Sequence, residues 1–117
     1  MNWLGLHVLL ECNDVDPELL ADPARLEDAM RRAATAAGAH ILSGNFHHFG
    51  GHQGVTGVLL LQESHLSIHT WPEFRYAAID IFMCGDCQPE SAVEVLVDAL
   101  DPGSIRQHVV KRGPSSR

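Results

Sequence analysis

A two-layer α/β (α+β) sandwich, with a mostly antiparallel sheet carrying two helices on one face, is the fold this sequence predicts. Three observations lead there. Most apolar segments are short and run continuously or alternate with polar residues, while only two follow the helical period. The segments come in the order β-α-β-β-β-β-α-β. The chain has 117 residues, enough for one core and too few for two, so residues 1–117 are expected to form a single domain.

Trp3 to Cys12 reads as a largely apolar strand, broken by Asp14, Asp16 and Pro17. Asp22 is a good helix N-cap with Pro23 at the first helical position. Leu26, Met30, Ala33, Ala34 and Ala37 follow at helical spacing, and Gly38 can end the helix. His40 to Phe49 returns to strand-like character, and Gly50, Gly51 and Gly54 surround His52 in a loop. Val55 to Gln62 is a nearly continuous apolar strand, and His65 to Trp71 alternates cleanly. Pro72 to Arg75 predicts a turn and Tyr76 to Cys84 the next strand. Pro89 opens a second helix, with Val93, Leu96, Val97 and Leu100 on one side and Gly103 after it. Ser104 to Val110 is the last strand, and Gly113 to Arg117 a loose tail.

The formal net charge of -7 argues against nucleic acid as a partner. The first residues have no basic region and no long apolar core, and no apolar run approaches membrane-spanning length. With three cysteines, Cys12, Cys84 and Cys87, reduced thiols and a cytoplasmic location are expected. One lysine is present, Lys111.

The run Glu63-Ser64-His65-Leu66-Ser67-Ile68-His69-Thr70-Trp71-Pro72-Glu73 concentrates a hydroxyl nucleophile, two histidines, an indole and two carboxylates. Side chains alternate across a strand. Leu66 and Ile68 therefore face the helices, and His65, Ser67, His69 and Trp71 the other way. In the next strand Ala78, Asp80, Phe82 and Cys84 share that second face. If Pro72 to Arg75 closes a hairpin, Trp71 pairs with Tyr76, and counting back brings Cys84 level with the Glu63–Ser64 peptide. The second face has no helix to cover it, so a homodimer is expected.

These residues, with Gly54-Val55-Thr56-Gly57-Val58, Tyr76-Ala77-Ala78-Ile79-Asp80-Ile81-Phe82, Cys84-Gly85, and upstream Gly5, His7, Glu11 and Phe46-His47, closely resemble the short prokaryotic S-adenosylmethionine decarboxylases, pyruvoyl-dependent enzymes of polyamine biosynthesis. The resemblance implies that the precursor cleaves itself between Glu63 and Ser64, giving residues 1–63 and 64–117, and that Ser64 becomes a covalent pyruvoyl group. It implies that His69 handles protons during processing, with help from Thr56. Cys84 is the implied proton donor of decarboxylation, Phe49 and Trp71 stack on the adenine, and Glu73 binds the ribose hydroxyls. The implied active sites lie between two protomers. His65 shares the site face and is a candidate substrate contact.

The chemistry suits the residue types. Loss of carbon dioxide from an α-amino acid leaves two electrons that no ordinary side chain accepts. Pyridoxal phosphate needs a lysine in a pocket, and Lys111 on a terminal strand is a poor candidate; a pyruvoyl ketone forming a Schiff base with the substrate amine supplies the same sink. Histidine carries protons near neutrality, and thiols ordinarily ionise within reach of it. Aromatic rings suit a sulfonium and a flat base.

Alternatives follow from the same residues. Gln62, Thr56, Ser67 and Phe74 depart mildly from the family pattern, and His48 stands where the family commonly has arginine. Arg75 stands where the family has glycine, and a guanidinium there could pair with Glu73 and withdraw it from ribose. A pyruvoyl decarboxylase of arginine or ornithine is then the second reading, although Phe49, Trp71 and Glu73 favour the adenosyl substrate. A non-enzymatic metal module built from His47, His48, His52 and the Cys84/Cys87 pair is a third, on a weak signal, and no metal is expected. A nucleoside-binding homologue that is never processed is a fourth.

Overall fold

The computed structural model describes residues 3–114; Ser115–Arg117, in the expected loose tail, and the first two residues lie outside the described part. Six strands form one sheet: β1 (Gly5–Asn13), β2 (Ile41–His48), β3 (Val55–Leu61), β4 (Ser64–Trp71), β5 (Tyr76–Cys84) and β6 (Ser104–Arg112). Their order is β2-β3-β4-β5-β1-β6, with every neighbouring pair antiparallel. Two long helices, α2 (Pro23–Ala36) and α3 (Pro89–Leu100), pack on each other and on the sheet. A single turn, α1 (Pro17–Leu20), precedes them where the sequence predicts only a break.

The ends of α2 follow from the sequence. The Asp22 carboxylate accepts the Arg25 N–H at 3.2 Å, and Pro23 opens the helix. Gly38, at φ 85°, follows the Ala37 C-cap. At the end of α3 the left-handed residue is Asp101 (φ 47°), ahead of the expected Gly103. Its N–H reaches Val97 O, so the cap is placed by the hydrogen bond rather than by the nearest glycine.

Alternation decides which face is core. Leu66, Ile68 and Thr70 of β4, and Ala77, Ile79, Ile81 and Met83 of β5, are buried under the helices. Leu26, Met30, Ala33 and Leu96 meet them from the helical layer. Each fully buried aliphatic side chain of this kind contributes about 1.5–3 kcal/mol relative to exposure. The opposite face stays open: Val58, Leu60, Trp71 and Val110 are exposed on it beside His7, His65, His69 and Asp80. No helix among the described residues is long and apolar enough to cross a membrane.

Candidate active site

Trp71 pairs with Tyr76 across Pro72–Phe74, which forms a 3-10 turn, as the hairpin count predicts. Antiparallel pairing then carries Met83 opposite Ser64 and sets Cys84 against Glu63. The Glu63 carbonyl oxygen accepts two hydrogen bonds from Cys84, from its N–H at 3.2 Å and its Sγ–H at 3.0 Å. This is the carbonyl of the Glu63–Ser64 peptide.

Gln62 and Glu63 connect β3 to β4, with Leu61 paired to Ser64. Hairpin turns of two residues favour positive φ at the first central position, because that twist matches the strands. Neither Gln62 nor Glu63 has it; Ser64 instead stands at φ 146°. For a residue with a Cβ that is a strained conformation, held only where the surroundings over-determine it. The strain lies on the residue that carries the candidate nucleophile.

What holds the turn includes a residue the sequence reading passed over. His40 donates its backbone N–H to Glu63 Oε1 at 2.9 Å and its ring Nδ1 lies 2.6 Å from Oε2. Its carbonyl accepts the Gln62 N–H at 2.9 Å. The ring hydrogen bond from His40, and then its backbone N–H, hold the Glu63 carboxyl below the usual carboxylate range.

A second group of site residues gathers at the other end of β4. Thr56 Oγ1 lies 3.2 Å from His69 Nδ1, on paired positions of β3 and β4. They line an open cleft of about 450 Å³ together with Phe49, His52, Trp71 and Glu73. The Trp71 ring stacks on Tyr76 at 5.4 Å between centroids, and the Tyr76 hydroxyl donates to Glu11. Burial, then the Glu11 carboxylate, pushes the Tyr76 phenol up to about 12. Gly54 fits this cleft because a Cβ there would collide with the Thr70 carbonyl. Thr70 is itself buried, donating to Leu20 O at 2.6 Å and accepting from Val55 N–H at 2.8 Å.

The structure therefore splits the predicted residues into two sets. Glu63, Ser64 and Cys84 form one, with His65 beside them against Phe82 at 5.7 Å between ring centroids. Phe49, Thr56, His69, Trp71 and Glu73 form the other. Ser64 and His69 stand five residue steps apart along the strand, a span of about 17 Å, so His69 of the same chain is out of reach of the Ser64 hydroxyl.

Arg75 makes no ion pair with Glu73; it occupies a left-handed position at φ 53°, a conformation glycine adopts without steric cost. Asp80 accepts from Ser67 Oγ at 3.2 Å and lies 3.4 Å from His7 Nε2. His47 meets the Phe49 ring edge-on, and His48 Nε2 contacts Gln53 O at 3.2 Å. Among the described residues no three His, Cys, Asp or Glu side chains converge as a metal-binding group. The three thiols are free; burial pushes Cys12 up to about 11 and raises Cys87.

A ketone made from residue 64 fits this end of the sheet. Ser64 is strained, the preceding carbonyl is held by two donors, and the thiol stands alongside. No lysine lines the cleft, and Lys111 lies over the Trp3 ring at 4.6 Å.

Comparison with known proteins agrees in sequence and in shape. A family model described as S-adenosylmethionine decarboxylase matches residues 6–113. The S-adenosylmethionine decarboxylase proenzyme of Caldanaerobacter subterraneus subsp. tengcongensis is 45% identical over 114 residues, covering 97% of this chain and 91% of that protein. Its namesake from Syntrophomonas wolfei subsp. wolfei is 46% identical over 114 residues, covering 97% and 90%. The crystal structure of the adenosylmethionine decarboxylase from Aquifex aeolicus superposes with a TM-score of 0.90 at 32% identity, covering 100% of this chain and 97% of that one. The chain belongs to the S-adenosylmethionine decarboxylase family.

Proposed function

We propose that this protein is a self-processing decarboxylase of S-adenosylmethionine that builds its prosthetic group by cutting the Glu63–Ser64 peptide. The observation that carries this reading is the Glu63 carbonyl, gripped by the Cys84 N–H and Sγ–H beside a strained Ser64. Attack by Ser64 Oγ on that carbon puts negative charge on the carbonyl oxygen. Two donors already aimed at it stabilise the charge without reorganising. The peptide bond between the Glu63 carbonyl carbon and the Ser64 nitrogen then breaks, leaving Glu63 esterified to Oγ with the hydroxyl proton moved to the nitrogen. Elimination of the Glu63 carboxylate and hydrolysis with loss of ammonia yield the pyruvoyl end. Once formed, that group accepts the electron pair left as carbon dioxide departs.

The chain's own residues do the rest. Cys84 Sγ holds a proton beside position 64, where the substrate α-carbon must be reprotonated. Phe49 and Trp71 offer aromatic faces to a flat base and a sulfonium, and Glu73 offers a carboxylate to hydroxyls. The cleft volume of about 450 Å³ suits a ligand of nucleoside size.

The functional unit in this proposal is a homodimer with composite sites. Ser64 and Trp71 stand at opposite ends of β4, about 23 Å apart, so one chain cannot present both to one substrate. A two-fold axis on the open face would bring the Ser64–Cys84 end of one copy to the His69–Trp71 end of the other. Exposed Val58, Leu60 and Trp71 give that face apolar area to bury.

Two experiments test the reading. Carboxyl-labelled S-adenosylmethionine is expected to release carbon dioxide where labelled arginine and ornithine do not; release from either amino acid alone would move the substrate to the second class. Co-expression of a Ser64→Ala chain with a His69→Ala chain is expected to restore about a quarter of the activity, because about half of randomly assembled dimers are mixed and a mixed dimer holds one intact site. Two inactive chains that stay inactive when mixed would place each site within one protomer.

A further inference from the structure

The His40–Glu63 contact is not needed to hold the sheet together. It lies beyond the end of β2, the His40 side chain is 72% exposed, and the backbone bonds there form whatever residue 40 is. Yet the Glu63 side chain is only 18% exposed, and both its oxygens are engaged by His40, one by the main chain and one by the ring. The Glu63 carbonyl is meanwhile tied to Cys84. Glu63 is thus held at both its side chain and its carbonyl, directly before the residue with φ 146°. A strained conformation survives only where its neighbours leave it no easier alternative. Release of the carboxylate would let the Gln62–Glu63 turn relax and swing the carbonyl off its two donors.

We propose that His40 is a positioning residue for self-cleavage: its Nδ1–H holds the Glu63 carboxylate and so keeps the Glu63–Ser64 peptide poised for attack. This inference rests on the self-cleavage reading above. The step it assists is the acyl shift from nitrogen to oxygen, in which the Ser64 Oγ–Glu63 C bond forms, the peptide C–N bond breaks and the Oγ proton passes to the Ser64 nitrogen. No other reactant enters, and His40 touches none of the reacting atoms.

The test follows the uncut chain over time by denaturing electrophoresis and intact mass. One charge-assisted hydrogen bond in a partly solvated place sets the scale, so His40→Ala is expected to slow cleavage about tenfold. In His40→Asn the amide nitrogen falls where Nδ1 was, and cleavage is expected within about twofold of wild type, the same hydrogen bond being restored. His40→Gln carries its amide one bond further out, beyond that position, and is expected to be as slow as His40→Ala. Equal rates for all four proteins, or an equal loss in all three variants, would overturn the proposal; the second pattern would mark a general packing role. The Asn against Gln contrast keeps its meaning even if His40→Ala folds poorly. Wild-type chain that is never cut before Ser64 would instead defeat the self-cleavage reading itself, and this inference with it.

Discussion

Removing the Cys84 thiol should slow the formation of the active enzyme as well as its turnover. The Glu63 carbonyl oxygen has two donors, the Cys84 N–H at 3.2 Å and its Sγ–H at 3.0 Å. Cys84→Ala removes the second and leaves the first. A well-aimed donor to a developing oxyanion is worth about 10²–10³ in rate, and a thiol is a weak donor. The expected loss in cleavage rate is therefore about 10- to 100-fold, with slow cutting still complete on long incubation. Cys84→Ser offers a stronger donor, but on a shorter bond that leaves it farther from the carbonyl than Sγ, and should fall between alanine and wild type. The assay is the half-life of the uncut chain after rapid expression and purification, with decarboxylation then measured on fully cut material. Wild-type cleavage kinetics in Cys84→Ala would remove the thiol from processing, and normal turnover of the cut variant would remove it from the protonation step as well.

Three other outcomes follow from the geometry. Tyr76 is the one tyrosine in the chain, and its phenol is raised to about 12. A folded-state value above the unfolded one of about 10 means its contribution to stability is full below pH 10 and fades as pH rises toward 12. Phenolate absorbance in the native protein should accordingly appear near pH 12, and an ordinary titration near 10 would contradict the Glu11 contact. Arg75→Gly should raise stability by about 0.5–1 kcal/mol, the relief of a left-handed side chain less the extra freedom of unfolded glycine; a lower urea midpoint in a Ser64→Ala background would refute it. Thr70→Val should cost about 2–4 kcal/mol in the same measurement, because Leu20 O and Val55 N–H both lose a buried partner, and an unchanged midpoint would show that the two groups find other partners.

The alternation of His65 to Trp71 and of Tyr76 to Cys84 made the central hairpin legible. A side-chain period of two fixes the face, and Pro72 fixes the turn, so the Trp71–Tyr76 pair and the Cys84–Glu63 encounter could be counted in advance. The same motif misled on distance. Eleven consecutive residues look like one site on paper, but a strand extends about 3.3 Å per residue, which spreads Ser64 and His69 to separate ends. His40 left no local signal, since it reaches Glu63 across 23 residues. Its placement depends on the irregular register between Ile41 and Ser43 where β2 meets β3, which no periodicity announces. The strain at Ser64 was equally hidden, because it arises from a turn whose two central residues decline the positive φ that strand twist favours. The Asp101 cap eluded a reading that looked to Gly103, because a hydrogen bond to Val97 O outweighed intrinsic preference.

The most direct measurement is the intact mass of freshly purified protein under denaturing conditions. The account predicts two fragments, residues 1–63 and 64–117, the second beginning in a ketone that blocks Edman degradation and reacts with carbonyl reagents, with Ser64→Ala remaining whole. A wild-type chain that stays a single unbroken polypeptide yet releases carbon dioxide from S-adenosylmethionine would contradict it.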